Sequence, residues 1–219
     1  MRRLAAAVLG GLLMTATTAQ AGAALLAAAE TGHTAEVERL IHEGVDLEAR
    51  DPQGRTALLL AVAGNHVVAA KALLAAGASP NTQAANRDTP WLLAGASGRT
   101  EIVAAMLPLK PDLSLRNRYG GNALIPACER AHVETVKLLL TSGIDVNHVN
   151  DLGWTCLLEI VILGDGGPRH REVTRMVLAA GADPNLADRD GIMPLAHARA
   201  KGQDAIAAAI EVAGGRMKR

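Results

Sequence analysis

Phenylalanine is absent from this sequence, and aromatic side chains make up only 1% of its 219 residues, as Trp91, Tyr119 and Trp154. Apolar area must therefore come from Ala, Leu, Val and Ile, which suits thin, closely stacked helices and points away from a β-sandwich. Lysine is scarce, five residues against 17 arginines, a bias that fits a bacterial source. Neither sign of charge dominates, with 22 basic and 22 acidic residues, so no nucleic-acid partner is implied. There are two cysteines, Cys128 and Cys156, and no Cys-x-x-Cys, His-x-x-x-His or His/carboxylate cluster. No metal site and no cofactor is expected. Gly164-Asp165-Gly166-Gly167-Pro168 is glycine-rich but lacks a following Lys-Ser/Thr, which excludes a phosphate-binding loop. Glu129 and Glu159 have no second positioned group to make them an acid/base pair and read as a solvated face or a contact rim. No catalytic residue is assigned.

What is present begins with an apolar N-terminus. Arg2 and Arg3 precede the uncharged run Leu4 to Met14, and Ala19-Gln20-Ala21 is a small-x-small cleavage site. The pattern predicts a secretory signal over residues 1–21 and a mature domain over 22–219. The run falls well short of the ~20 residues that span a bilayer, so no membrane insertion is expected after cleavage. Cleavage removes two arginines and no acid, leaving 22 − 2 = 20 basic against 22 acidic residues, a net charge of −2.

Internal repetition organises the rest. Gly54, Arg87, Gly120 and Gly153 recur every 33 residues, as do Gly44, Gly77, Lys110 and Gly143, and Gly181 follows after 38. Five residues, Asp165 to Arg169, have been inserted once. Each period opens with an N-capping Thr or Asn before a short apolar helix, as in Thr56-Ala57-Leu58, Asn122-Ala123-Leu124 and Thr155-Cys156-Leu157. A Gly- or His-containing turn (Gly32-His33, Asn65-His66, Ala131-His132) leads to a second helix that stops at a glycine suited to a left-handed cap. His33, His66 and His132 share one repeat position and are expected to order that turn. Lys110-Pro111-Asp112 breaks the pattern, so the second helix of its unit should end differently.

Asp51-Pro52-Gln53-Gly54-Arg55-Thr56-Ala57-Leu58, the Gly-His turns and ends such as Gly181-Ala182-Asp183-Pro184-Asn185 resemble the ankyrin-repeat family over about residues 23 to 213. The resemblance implies an all-α ankyrin-repeat solenoid of about six helix-turn-helix units with β-hairpin turns. The units run over about 23–49, 50–82, 83–115, 116–148, 149–187 and 188–213. It also implies a non-catalytic protein-binding module, acting through hairpin tips and the concave face of the first helices. A monomer in the periplasm or secreted, binding or protecting a partner protein, is the leading expectation. An inhibitor or immunity protein against a toxic enzyme in the same compartment is the alternative, and a cofactor carrier or enzyme accessory a distant one.

Tyr119, Leu152 and Trp154 lie where neither helix core needs them and are expected to anchor the partner, whereas Trp91 takes a core position. Arg118, Glu129, Arg130 and Asp151 would form the polar rim, with Asn86 and Asp88 on a neighbouring tip. Cys128 and Cys156 are expected to stay unpaired. Repeat alignment sets them five residues, about 7 Å, apart along equivalent helices, and packed helices add roughly 8 to 10 Å, beyond the disulfide limit of about 7 Å between Cα atoms.

Overall fold

The computed structural model describes residues 18–217. The expected leader's basic residues and apolar run lie outside the described residues. Helix α1 covers residues 18–31 and runs through the expected cleavage site. After it come α2 (Thr34–His42), α3 (Ala57–Ala63), α4 (Val67–Ala75), α5 (Pro90–Ala96) and α6 (Thr100–Met106). The remainder are α7 (Leu124–Glu129), α8 (Val133–Thr141), α9 (Cys156–Leu163), α10 (Pro168–Ala179), α11 (Pro194–Ala200) and α12 (Asp204–Val212). Among the described residues there is no strand. The helices form six consecutive pairs, and the chain divides into two compact units, residues 1–90 and 91–219.

The first helices of the full pairs, α3, α5, α7 and α9, are apolar on nearly every side, Glu129 and Glu159 being their acidic residues, and are buried accordingly. In α3 the residues Ala57 to Val62 are all buried, and in α9 the buried run extends from Cys156 to Val161. Second helices bury one stripe instead. In α8, Thr135, Val136 and Leu139 are buried while Glu134 and Lys137 face solvent. Each Leu or Ile fully withdrawn from water contributes about 1.5–3 kcal/mol, so these narrow stripes suffice only because every pair repeats them. Trp91 is 2% exposed and packs in the core, as its position in the repeat predicts.

Local chemistry sets the helix ends. The hydroxyls of Thr56 and Thr155 accept from the backbone N–H groups of Leu59 and Leu158, and Asn122 Oδ1 accepts from Leu124 and Ile125. Gly77, Gly143 and Gly181 close second helices with positive φ, and beyond two of them Ala78 N–H donates to Leu73 O and Ala182 N–H to Val177 O, both at 2.9 Å. The departure at Lys110 has the expected consequence: α6 gives way to the 3-10 turn Leu107–Leu109, and Lys110 itself takes φ 51°.

Cys128 and Cys156 form a disulfide, with Cα atoms 5.6 Å apart, which corrects the expectation that they remain free. The error lies in adding an axial offset to an interaxial distance. Facing Cα atoms each sit about 2.3 Å off their helix axes toward one another, which shrinks the lateral gap. The 5.6 Å Cα separation also requires α9 to sit shifted along α7 so that the five-residue offset is cancelled. The same juxtaposition occurs one repeat earlier, between the equivalent residues Gly95 and Ala123. A Cβ placed on Gly95 would stand 2.8 Å from the Cβ of Ala123.

Candidate functional site

The hairpin tips that precede the first helices share one hydrogen-bond pattern. Asp51, Ala84, Asn117, Asn150 and Asp188 each donate their backbone N–H to the carbonyl four residues on, at 2.9–3.1 Å. The N–H three residues on returns to the carbonyl of each, at 2.8–3.0 Å. Where the leading residue is Asp or Asn, its side chain also accepts from the N–H groups two and four residues ahead. Asn117 Oδ1 takes Tyr119 and Gly121, Asn150 Oδ1 takes Leu152 and Trp154, and Asp188 Oδ1 takes Asp190 and Ile192. The fourth tip residue needs positive φ. Glycine supplies it at Gly54, Gly120, Gly153 and Gly191, while Arg87 carries φ 66° in a tip whose leading residue is Ala84.

Two of the expected anchors stand on adjacent tips of the C-terminal unit. Tyr119 is 54% exposed and Leu152 is 50% exposed, and Asp151 N–H donates to Tyr119 O at 2.9 Å. The Asp151 carboxylate lies against Gly120, where a Cβ would meet its Oδ1 at 2.3 Å. The Arg118 guanidinium sits 4.7 Å from the Tyr119 ring centroid, in cation–π contact. Trp154 is partly buried, so only part of its ring faces outward.

Two other expected rim residues, Arg130 and Glu129, lie away from the tips, while Asn86 and Asp88 stand on the tip led by Ala84. Arg130, at the end of α7, donates to Ala96 O at 2.6 Å, and Glu129 is half-buried with its carbonyl accepting from His170. Asn86 and Asp88 belong to the N-terminal unit, where Asn86 Nδ2 donates to Asp88 Oδ2 at 2.7 Å.

Glu159 is not the solvated residue that its sequence suggests: it is 5% exposed. Burial, reinforced by the Glu129 charge, pushes its carboxyl up to about 7, against the opposing pull of the Asn150 hydrogen bond and the Arg130 charge. Asn150 Nδ2 donates to Glu159 Oε1 at 3.0 Å. Glu159 thus orients the amide whose other end holds the backbone of Leu152 and Trp154, which makes it a positioning residue for that tip. The next repeat reverses the polarity at the same spacing, His197 Nε2 meeting Asp188 Oδ2 at 2.7 Å. Burial alone would raise Asp188, but the N–H of Ile192, His197 and the N–H of Asp190 together hold its carboxyl below the usual range.

The repeated histidines tie successive pairs together as well as shaping their own turns. His66 Nε2 lies 3.0 Å from Glu30 O, and His170, at the equivalent position displaced by the insertion, lies 2.9 Å from Glu129 O. Gln203 Nε2 donates to Gly164 O at 3.1 Å in the last pair. Among the described residues no group of His, Cys, Asp and Glu is placed to hold a metal ion, and no helix is long and apolar enough to cross a membrane.

The family model for ankyrin repeats (three copies) matches residues 11–84, 69–150 and 91–188. The chain is 38% identical over 190 residues to the ankyrin repeat protein YahD of Escherichia coli K12, covering 86% of this chain and 94% of that one. The crystal structure of an ankyrin repeat domain from Acinetobacter baumannii AYE superposes with TM-score 0.84 at 45% identity, over 88% of this chain and 98% of that one. The ankyrin repeat domain of Bcl-3, an IkappaB-family protein, superposes with TM-score 0.78 at 26% identity, over 90% and 89% of the two chains.

Proposed function

Since the chain belongs to the ankyrin-repeat family, whose repeats are generally non-enzymatic protein-interaction modules, we propose that it holds a partner protein over the tips of its fourth and fifth repeats. The observation that carries this reading is the pair of large apolar side chains, Tyr119 and Leu152, half-exposed on neighbouring tips that their own backbones lock together. Preordered anchors lose little entropy on binding, and Tyr is enriched among interface hot spots. Arg118 and Asp151 supply the adjoining charges, which bear on association rate more than on affinity.

The proposed compartment is the periplasm or the exterior, with the working species a monomer. Two features support export. Residues 18–20 are exposed and Gly22 is buried against Ala49, so among the described residues cleavage before Gly22 removes no buried side chain. The buried disulfide is of a kind that persists in oxidising compartments. An inhibitor or immunity protein would use the same anchors against a toxic enzyme, and identifying the captured partner separates that role from protection.

The test is quantitative capture from the exporting compartment with the Tyr119→Ala/Trp154→Ala variant. The expected result is a loss of at least about 30-fold, roughly 2 kcal/mol, with little change in thermal midpoint. Undiminished capture would place the docking site elsewhere. Intact mass of the exported protein should correspond to a chain starting at Gly22, and retention of Met1 would remove the export assignment.

A further inference from the structure

The repeat itself does not require a carboxyl where Glu159 stands. One, two and three periods earlier the same place is held by Pro126, Leu93 and Leu60. The tip led by Asn117 makes the same bonds from its Oδ1, to the N–H groups of Tyr119 and Gly121, with Pro126 behind it. Only in the fifth repeat does a buried carboxyl reach the amide: Asn150 is 7% exposed, Glu159 is 5% exposed, and Nδ2 donates to Oε1 at 3.0 Å. The far end of that amide holds the N–H groups of Leu152 and Trp154, both at 3.0 Å. A chain of two hydrogen bonds therefore connects one buried acid to the backbone that carries the exposed Leu152 anchor.

The surroundings of Glu159 do little for a negative charge. It is the only charged side chain of α9, which packs against α7, α10 and α11. From α7 come Glu129, next to the disulfide that ties α7 to α9, and Arg130, which donates to Ala96 O. On α11, His197 is taken by Asp188 and Arg199 by Glu211. On α10, His170 lies between Asp165 and Glu129 O, while Arg169, Arg171, Glu172 and Arg175 are exposed. Lys201, at the following turn, donates to Ile162 O and Gly164 O, His148 contacts Gly120 O, and Asp151 is exposed on the tip. Ionised in place, Glu159 would give up its hydration for one amide hydrogen bond. Burial and the Glu129 charge outweigh that bond and the Arg130 charge, which is why the carboxyl is pushed up to about 7. Released to water it ionises at about 4.3, so between these values each pH unit favours release about tenfold more.

We propose that Glu159 is a proton-operated latch on the fifth tip: neutral, it stays buried and steadies Asn150, and on ionising it leaves the interior and frees the backbone of Leu152 and Trp154. The tip is then best ordered at mildly acid pH and loosens as the solution becomes neutral. Its consequence for binding rests on the reading of this tip as the docking surface, since an ordered anchor loses less entropy when a partner arrives.

The experiment is amide hydrogen exchange by NMR on the disulfide-bonded protein across mildly acid to mildly alkaline pH. Exchange from a tip whose opening ignores pH rises about tenfold per pH unit, with hydroxide alone; a latch that opens with ionisation adds a second factor of about ten per unit. The amides of Leu152 and Trp154 should therefore show a rate rising about 100-fold per unit between about pH 5 and 7, then about tenfold per unit above. Tyr119 and Gly121, on the tip backed by Pro126, should rise about tenfold per unit throughout. Glu159→Gln should bring Leu152 and Trp154 to that same single dependence, and Glu129→Gln, by removing the neighbouring charge, should move their break to lower pH. A single hydroxide dependence at Leu152 and Trp154, an equally steep one at Tyr119 and Gly121, or a steep one that survives Glu159→Gln would each overturn the latch. No partner enters the measurement, so its failure is distinct from failure of tip docking, which capture with Tyr119→Ala/Trp154→Ala reads.

Discussion

Reducing the Cys128–Cys156 bond should lower stability by an amount that the structure sets. The crosslink closes a loop with a sequence separation of 28, and the chain-entropy relation gives about 3.5 kcal/mol for a loop of that size. Both cysteines are fully buried, so the freed thiols would stay in place as small apolar groups and the difference isolates the crosslink. At about 2–4 °C per kcal/mol for a domain of this size, the melting midpoint should fall by about 7–14 °C on reduction. The assay is thermal unfolding by circular dichroism with and without a phosphine reductant. A Cys128→Ala/Cys156→Ala variant serves as the control whose midpoint ignores the reductant. If oxidised and reduced protein melt within about 2 °C of one another, or a non-reducing peptide map of the folded protein recovers both thiols free, the crosslink and the helix slip inferred from it are refuted.

Two further outcomes follow from the sites described. Glu159, raised to about 7 in the folded state, has a folded pKa above its unfolded value of about 4.3, so its stabilising contribution is complete below the unfolded value and is lost as pH rises through about 7. Glu159→Gln should therefore gain about 1–3 kcal/mol over wild type in urea unfolding at mildly alkaline pH and little at acid pH, and a pH-independent difference would contradict this. Arg87→Gly relieves a left-handed residue at an exposed tip and should raise stability by about 0.5–1 kcal/mol, whereas a loss would show that the arginine side chain stabilises the tip.

The helix pairs, their caps and the core position of Trp91 were legible because each depends on residues adjacent in the chain. The repeating glycine, for instance, marks the one tip residue forced to positive φ. The disulfide was not legible, since it depends on how far one first helix slips past the next; only the small pair Gly95 and Ala123, one period earlier, signalled so close an approach. Glu159 was read as solvated because its environment comes from Asn150, nine residues earlier on a tip, and from Glu129 on another helix. Both Asx residues that organise the tips carrying Tyr119 and Leu152, Asn117 and Asn150, stand 33 residues apart and could have been found from the period alone. Two of the three expected anchors, Tyr119 and Leu152, owe their exposure to tip position, while the partial burial of Trp154 comes from packing that no spacing encodes.

The most direct measurement of where the partner sits is site-specific photocrosslinking. A benzophenone amino acid replaces Leu152 in one protein and Val212, 91% exposed on α12, in another. Docking over the fourth and fifth tips predicts a covalent adduct with the partner from position 152 and none from position 212. An adduct from position 212 alone would contradict it.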